Sequence, residues 1–231
     1  MATVYLIPSL LSEEGLDAIP AYILEGIKNC QVFFAENERT TRRYFKQLWK
    51  EMVIDDYAWV NMADNSKVSD VFKTYLKENK DIGIISEAGC PGVADPGQGL
   101  IAIAQEMNVE VKPLVGPNSI LLALMASGLN GQQFQFIGYL PIDNNLRIKA
   151  IKDLEAESAR KKCTQIFIET PYRNNQLIEA LVKVCNHSTK LCIAVDITGK
   201  NEWIKTKTIA DWQKSKLDIH KRPAIFLIYS S

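Results

Sequence analysis

No stretch of this chain is apolar over the ~20 positions that a membrane-crossing helix needs, and no low-complexity segment or short repeat occurs. A basic leader is missing as well. Met1 runs straight into the strand-like ATVYLIPSL, which points to a soluble, cytoplasmic protein. Histidine is scarce: His187 and His220 both lie in polar segments that suit solvated side chains, so imidazole chemistry has little to draw on. The five cysteines, Cys30, Cys90, Cys163, Cys185 and Cys192, are an odd number, dispersed and without a Cys-x-x-Cys pair, which argues against a disulfide framework and a zinc site. No metal is expected. An excess of either charge is also lacking, since 27 basic residues face 27 acidic ones. That balance disfavours a broad basic surface and leaves room only for a local patch.

What the chain does have is hydrophobic content, 47% over 231 residues, enough for one large or two modest cores. Its most informative stretch is Asp81 to Met107, DIGIISEAGCPGVADPGQGLIAIAQEM. Ile82, Ile84 and Ile85 suit a buried strand, and Leu100, Ile101, Ile103 and Ala104 give a helical apolar face. Between them, Gly89, Gly92 and Gly97 permit positive φ or close approach of a ligand to the backbone, while Pro91 and Pro96 stiffen the path. A loop of this kind at the carboxyl end of a parallel strand is a ligand-binding position in open α/β sheets. It has no Gly-Lys-Ser/Thr ending and no dinucleotide spacing, so the expected ligand is not gripped by its phosphates.

The rest of the chain reads as α/β. Strands are expected at Val4–Pro8, Val32–Ala35, Met52–Ile54 and Val109–Leu114, with helices from Pro20 to Lys28, after Thr40 through Trp49 and from Val68 to Leu76. This alternation implies a mostly parallel sheet in a first domain, residues 1–114. Gly116-Pro117-Asn118-Ser119 breaks the chain, and the helix Ile120–Ala126, apolar on every side, should be buried against more than one element. The second domain, residues 115–231, reads as a mixed sheet with flanking helices. FQFIGYL, Gln165–Ile168, Lys190–Val195, Glu202–Lys207 and Ala224–Tyr229 supply strands, with an antiparallel hairpin turn at Thr198–Asn201. Leu146–Arg160 forms a charged helix, and Asn174 and Asn175 are candidate caps for the helix that ends at Cys185.

SEAGCPGVADPG, Ser86 to Gly97, resembles the Ser-Asp-Ala-Gly-Thr-Pro-Gly-x-x-Asp-Pro-Gly signature of the tetrapyrrole-methylase-like S-adenosylmethionine methyltransferases, in particular the bacterial small-subunit ribosomal RNA 2′-O-ribose methyltransferase branch. AENERTTRRYF, VGPNSILLALMASGL, FIGYLP and IFIETPYR fall in the family's order around it, so the resemblance spans nearly the whole chain. It implies the tetrapyrrole methylase fold, with two α/β domains and a cofactor cleft between them, and a homodimer. It also implies that S-adenosyl-L-methionine is held by Glu87, Ala88, Gly89, Val93, Ala94 and Asp95 with Ser119, together with Phe167, Ile168 and Ala224. The chain departs from the pattern in places. SLLSEEGLD replaces the family's Thr-Pro-Ile-Gly-Asn-Leu, Glu87 and Cys90 replace Asp and Thr, and Ala194-Val195-Asp196-Ile197-Thr198-Gly199 lacks the arginine of Ala-Arg-Glu-Leu-Thr-Lys.

Methyl transfer to a ribose hydroxyl asks the protein to align nucleophile and sulfonium and to accept a proton from a weak acid. Glu169 and Glu36 are candidate bases, as are Glu87 and Asp95, and each equally suits a structural role as a cap or ion-pair partner. Arg39, Arg42 and Arg43, with Lys46, cluster at the start of one helix and suit RNA phosphates or a solvated, salt-bridged face, with Arg147 and Lys149 as possible helpers. The resemblance implies ribosomal RNA or the small ribosomal subunit as the partner. The alternatives are a tetrapyrrole or other small-molecule substrate, or a non-catalytic homologue that binds the cofactor.

Overall fold

The computed structural model describes residues 1–63 and 67–230. The chain divides into two compact units, Met1–Asn118 and Ser119–Ser231. In the first unit, the strands β1 (Thr3–Ile7), β2 (Val32–Ala35), β3 (Ala58–Asn61), β4 (Ile82–Ile85) and β5 (Glu110–Pro113) form one sheet in the order β3-β2-β4-β1-β5. Every pairing is parallel. Helices α1 (Ile23–Asn29) and α2 (Glu38–Leu48) cover one face, where Ile23, Ile27, Tyr44 and Phe45 pack on Tyr5, Ile7, Phe33 and Ile85. Helices α3 (Val68–Lys77) and α4 (Gln98–Glu106) cover the other, with Phe72, Leu76, Leu100 and Ala104 against Val4, Phe34, Ile82 and Ile84. Both faces are thereby buried, which is why β1, β2 and β4 read as continuous apolar runs.

The third strand is Ala58–Asn61, not Met52–Ile54. Met52 is buried in the core as an apolar plug, while Val53 is exposed and Ile54 opens a short 3₁₀ turn. An apolar triplet alone did not separate a plug from a strand.

In the second unit, β6 (Phe134–Tyr139), β7 (Thr164–Ile168), β8 (Lys190–Val195), β9 (Trp203–Thr208) and β10 (Ala224–Tyr229) form a sheet in the order β6-β7-β10-β8-β9. It is mixed: β6 runs parallel to β7, and the other neighbours are antiparallel. Helices α6 (Asn144–Lys161), α7 (Asn174–Val184) and α8 (Ile209–Trp212) enclose a core with Phe167, Ile193 and Phe226. Helix α5 (Ser119–Ser127) packs against β8, β9 and β10. Contrary to its apolar sequence, α5 is not buried all round. Ile120, Ala123 and Leu124 turn inward, whereas Leu121 and Met125 stay exposed. Asn174 and Asn175 do not cap α7 either: the cap position is Arg173, and the two amides bind Arg222 O and Asp218 Oδ1 instead.

Candidate functional site

In the parallel sheet Ile7, Ala35 and Ile85 sit level, so the loops after β1, β2 and β4 leave from one edge. After β2 the chain continues to β3 at one margin, and after β4 it crosses β1 to reach β5 at the other. Helices α2 and α4, which follow these two strands, lie on opposite faces. The topology therefore switches direction between β2 and β4, where an open α/β sheet leaves a crevice for a ligand.

The glycine-proline loop rises from that point. Gly89, Gly92 and Gly97 all take left-handed φ values, 71°, 78° and 111°, and Ala94 does so at 62° without being glycine. A left-handed non-glycine residue is a local strain held by its surroundings, and such residues collect at functional sites. A side chain on Gly89 would start 3.3 Å from Leu11 Cδ2 and 3.6 Å from Pro117 O, so loop, β1 segment and junction close around that backbone. Ser9 donates from its backbone N–H to Gly89 O at 2.8 Å, fixing the same approach. At the junction, a Cβ on Gly116 would sit 2.1 Å from Pro8 Cβ, so only glycine fits there.

The carboxylates come together here. Glu36 Oε2 accepts the backbone N–H of Glu87 at 2.8 Å, and Asn37 Nδ2 donates to Glu87 Oε1 at 3.3 Å. Burial pushes the Asp95 carboxyl up to about 6, helped by the negative charges of Glu36 and then Glu87, while a hydrogen bond from Ser86 opposes the shift. Among the described residues, the backbone N–H groups of Ala88 and Ala94 donate to no protein group. Val93 and Ala94 are exposed. Free backbone donors beside glycines suit the carboxylate, amide-like and ribose edges of a small ligand.

In the second unit the end of β7 adjoins the start of β10, which brings Phe167, Ile168 and Ala224 close in the sheet. The Phe167 ring is fully buried and stacked on Phe226 at 6.0 Å between centroids, so only its backbone can meet a ligand. Ser119 is the first residue of α5 and half-buried. Glu169 follows β7 with a completely buried side chain. Its Oε1 accepts from Arg173 Nη2 at 2.6 Å, Arg173 Nε at 3.0 Å and the Thr170 N–H at 2.6 Å, and its Oε2 has no partner among the described residues.

The arginine cluster on α2 is split. Arg39 and Arg42 line a cavity of about 480 Å³ with Asn37, Glu38 and Asn61, whereas Arg43 lines another of about 440 Å³ on the side of the Ser9–Glu14 segment. Arg42 is engaged by Glu38 and lies 5.0 Å over the Trp59 ring; Arg43 is 3.9 Å from Glu13. Lys46 is spent on the carbonyls of Lys50 and Met52. Arg39 is exposed, with no ion pair among the described residues. Arg147 does not join them: it is buried, with Nη2 on Asn144 Oδ1 at 3.0 Å, and it anchors the first turn of α6.

No protein-family model matches the chain. It is 29% identical over 227 residues to a protein of Buchnera aphidicola named ribosomal RNA small subunit methyltransferase I, covering 97% of this chain and 76% of that one. The Bacillus subtilis protein of the same name is 28% identical, with 91% and 69% covered. The one from Micromonospora olivasterospora is 32% identical over 79% of this chain and 55% of its own length. Among solved structures, the methyltransferase CobJ superposes with a TM-score of 0.60 at 15% identity, covering 100% of this chain and 94% of its own. Cobalt precorrin-4 methyltransferase, a cobalamin biosynthetic enzyme, gives the same score at 13% identity, covering 98% and 94%. The chain has the fold of these tetrapyrrole methyltransferases and is similar in sequence to the ribosomal RNA methyltransferases.

The departures from the signature of the family that the chain resembles now have locations. The SLLSEEGLD segment forms the wall of the 440 Å³ cavity, and Cys90 Sγ lies 3.6 Å from Pro117 O, linking loop and junction much as a hydroxyl would. Glu87 spends its longer side chain on Asn37. The left-handed backbone of Ala94 and the high-lying Asp95 carboxyl carried no signal in composition or periodicity.

Proposed function

We propose that this chain transfers the methyl group of S-adenosylmethionine to a ribose 2′-hydroxyl of ribosomal RNA in the small subunit. The carrying observation is the crevice between β2 and β4, where free backbone donors, left-handed glycines and paired carboxylates lie beside an arginine-lined cavity. The likeness to small-subunit methyltransferases over 97% of the chain supports the same substrate.

The residues fit the cofactor. Ala88, Gly89, Val93 and Ala94 offer backbone, and Glu87 and Asp95 offer carboxylates to an amine or ribose hydroxyls; Ser119, Phe167, Ile168 and Ala224 are the further cofactor residues that the family resemblance implies. When bound, the sulfonium supplies a methyl group already activated by its positive charge. The protein's tasks are orientation and proton acceptance. Asp95, half-buried in the loop and held above the ordinary carboxylate range by that burial, is suited to hold that proton, whereas Glu169 is committed to Arg173. Glu36 acts through the loop, by fixing Glu87.

Arg39 and Arg42 meet backbone phosphates. A tetrapyrrole would call for apolar walls, yet the cavity that holds Arg39 and Arg42 is lined otherwise by Asn37, Glu38 and Asn61. The protein works in the cytoplasm, with ribosomes, as a homodimer. Exposed Met125, Phe134, Tyr139, Ile142 and Leu146 of the second unit supply apolar surface for that contact.

Calorimetry tests the cofactor site. Parent protein is expected to bind S-adenosylmethionine, and Gly89→Val, strained at a φ of 71° and crowded by Leu11, to lose at least tenfold in affinity while remaining folded. Unchanged binding by folded Gly89→Val removes the loop from the site.

A further inference from the structure

Resting on the cofactor reading above, we infer that Asn37 is a positioning residue that decides which way the Glu87 carboxylate faces S-adenosylmethionine. Asn37 follows β2 and caps α2. Its side-chain oxygen accepts the Thr40 N–H at 3.3 Å, and its carbonyl takes the Thr41 N–H at 3.1 Å and the Thr40 and Thr41 hydroxyls at 3.0 and 2.9 Å. With the amide oxygen committed to an N–H, the Nδ2 end points the other way, and there it donates to Glu87 Oε1 at 3.3 Å. Turning the amide over would set an oxygen against a carboxylate and an NH2 against an N–H, so both partners hold it in one sense.

Glu87 is thereby held at both ends. Glu36 takes its backbone N–H and Asn37 takes Oε1, while Oε2 has no partner among the described residues. The side chain is exposed and forms no ion pair among the described residues, so the Asn37 amide is what restrains it. Being neutral, that amide orients the carboxylate without cancelling its charge. One oxygen is spent on orientation, and the other is presented as a pure acceptor to the amine or a ribose hydroxyl of the ligand. A long side chain fixed before the ligand arrives loses less freedom on binding, which raises affinity without a new contact. The arrangement has a signature. In Glu87→Gln, Asn37 still claims the acceptor oxygen, and the new NH2 turns toward the ligand's own donors. In Asn37→Asp/Glu87→Gln, the new carboxylate claims that NH2 and the amide oxygen faces the ligand again, with the charge of the pair unchanged. Aspartate caps a helix as well as asparagine, so α2 is left intact.

The test is calorimetric titration of S-adenosylmethionine into the parent protein and these two variants, at about 0.5 M salt so that a carboxylate acting through space is largely screened. Because Glu87 is exposed and the cap is kept, both variants are expected to fold and to melt with the parent. Glu87→Gln should lose about tenfold in affinity, and Asn37→Asp/Glu87→Gln should return to within about threefold of the parent, since an acceptor facing the ligand is regained. A role in capping alone predicts that adding Asn37→Asp to Glu87→Gln changes nothing. Absence of that recovery, or undiminished binding by Glu87→Gln, overturns the positioning role while leaving the cofactor reading in place. A parent protein that binds no S-adenosylmethionine overturns the cofactor reading and the positioning role together.

Discussion

Glu36 Oε2 accepts the backbone N–H of Glu87 at 2.8 Å and thereby ties the end of β2 to the loop that follows β4. The same carboxylate helps to keep Asp95 at about 6 against an ordinary value of 3.8. Because the folded-state value is the higher one, the native state holds the proton more tightly than the unfolded chain. The associated stability is complete below pH 3.8 and is lost as pH rises through about 6. Asp95→Asn is expected to leave stability unchanged at pH 4 and to raise it at pH 8 by about 1 kcal/mol, a figure reduced for solvent screening at this half-buried site. Denaturant titrations of parent and variant at both pH values check this; an identical difference at the two pH values would contradict the assigned shift.

Arg173 and Glu169 form a pair whose carboxylate is completely buried. Removing the arginine strands that charge, so Arg173→Ala is expected to cost about 3 kcal/mol. Adding Glu169→Gln should restore most of the loss, since a neutral amide needs no counter-ion. Thermal melts of the two variants separate this structural role from catalysis: a single variant as stable as the parent would show that the pair does not hold the end of β7.

Arg39 is the exposed cation of its cavity. Arg39→Ala should weaken RNA binding, lower the salt dependence by about one ion and leave cofactor affinity unchanged. Fluorescence titrations over a salt series measure both quantities. An unaltered slope would place the phosphates elsewhere.

Much of the first unit was legible because both sheet faces are buried, so that Val32–Ala35 and Ile82–Ile85 are unbroken apolar runs. The edge strand Ala58–Asn61 was not, since its side chains are only half-buried or exposed and it lacks that signature. In the loop, glycine advertised its own left-handed positions, but Ala94 did not, because tertiary packing rather than residue type sets its φ. The arginines misled in a different way. Neighbours on a helix point about 100° apart, so Arg42 and Arg43 face different cavities, and the Lys46 side chain reaches forward to the carbonyls of Lys50 and Met52 beyond the helix end. The upward shift of Asp95 comes first from burial and then from Glu36, which the level register of Ala35 with Ile85 brings near.

The most direct measurement is methyl transfer from radiolabelled S-adenosylmethionine to small ribosomal subunits from a strain that lacks this protein, followed by nuclease digestion and separation of the nucleosides. Label recovered in one 2′-O-methylated nucleoside of the ribosomal RNA, and absent when subunits from the parent strain are used, is the predicted result. A protein that binds the cofactor yet transfers no label to either subunit preparation would contradict the account.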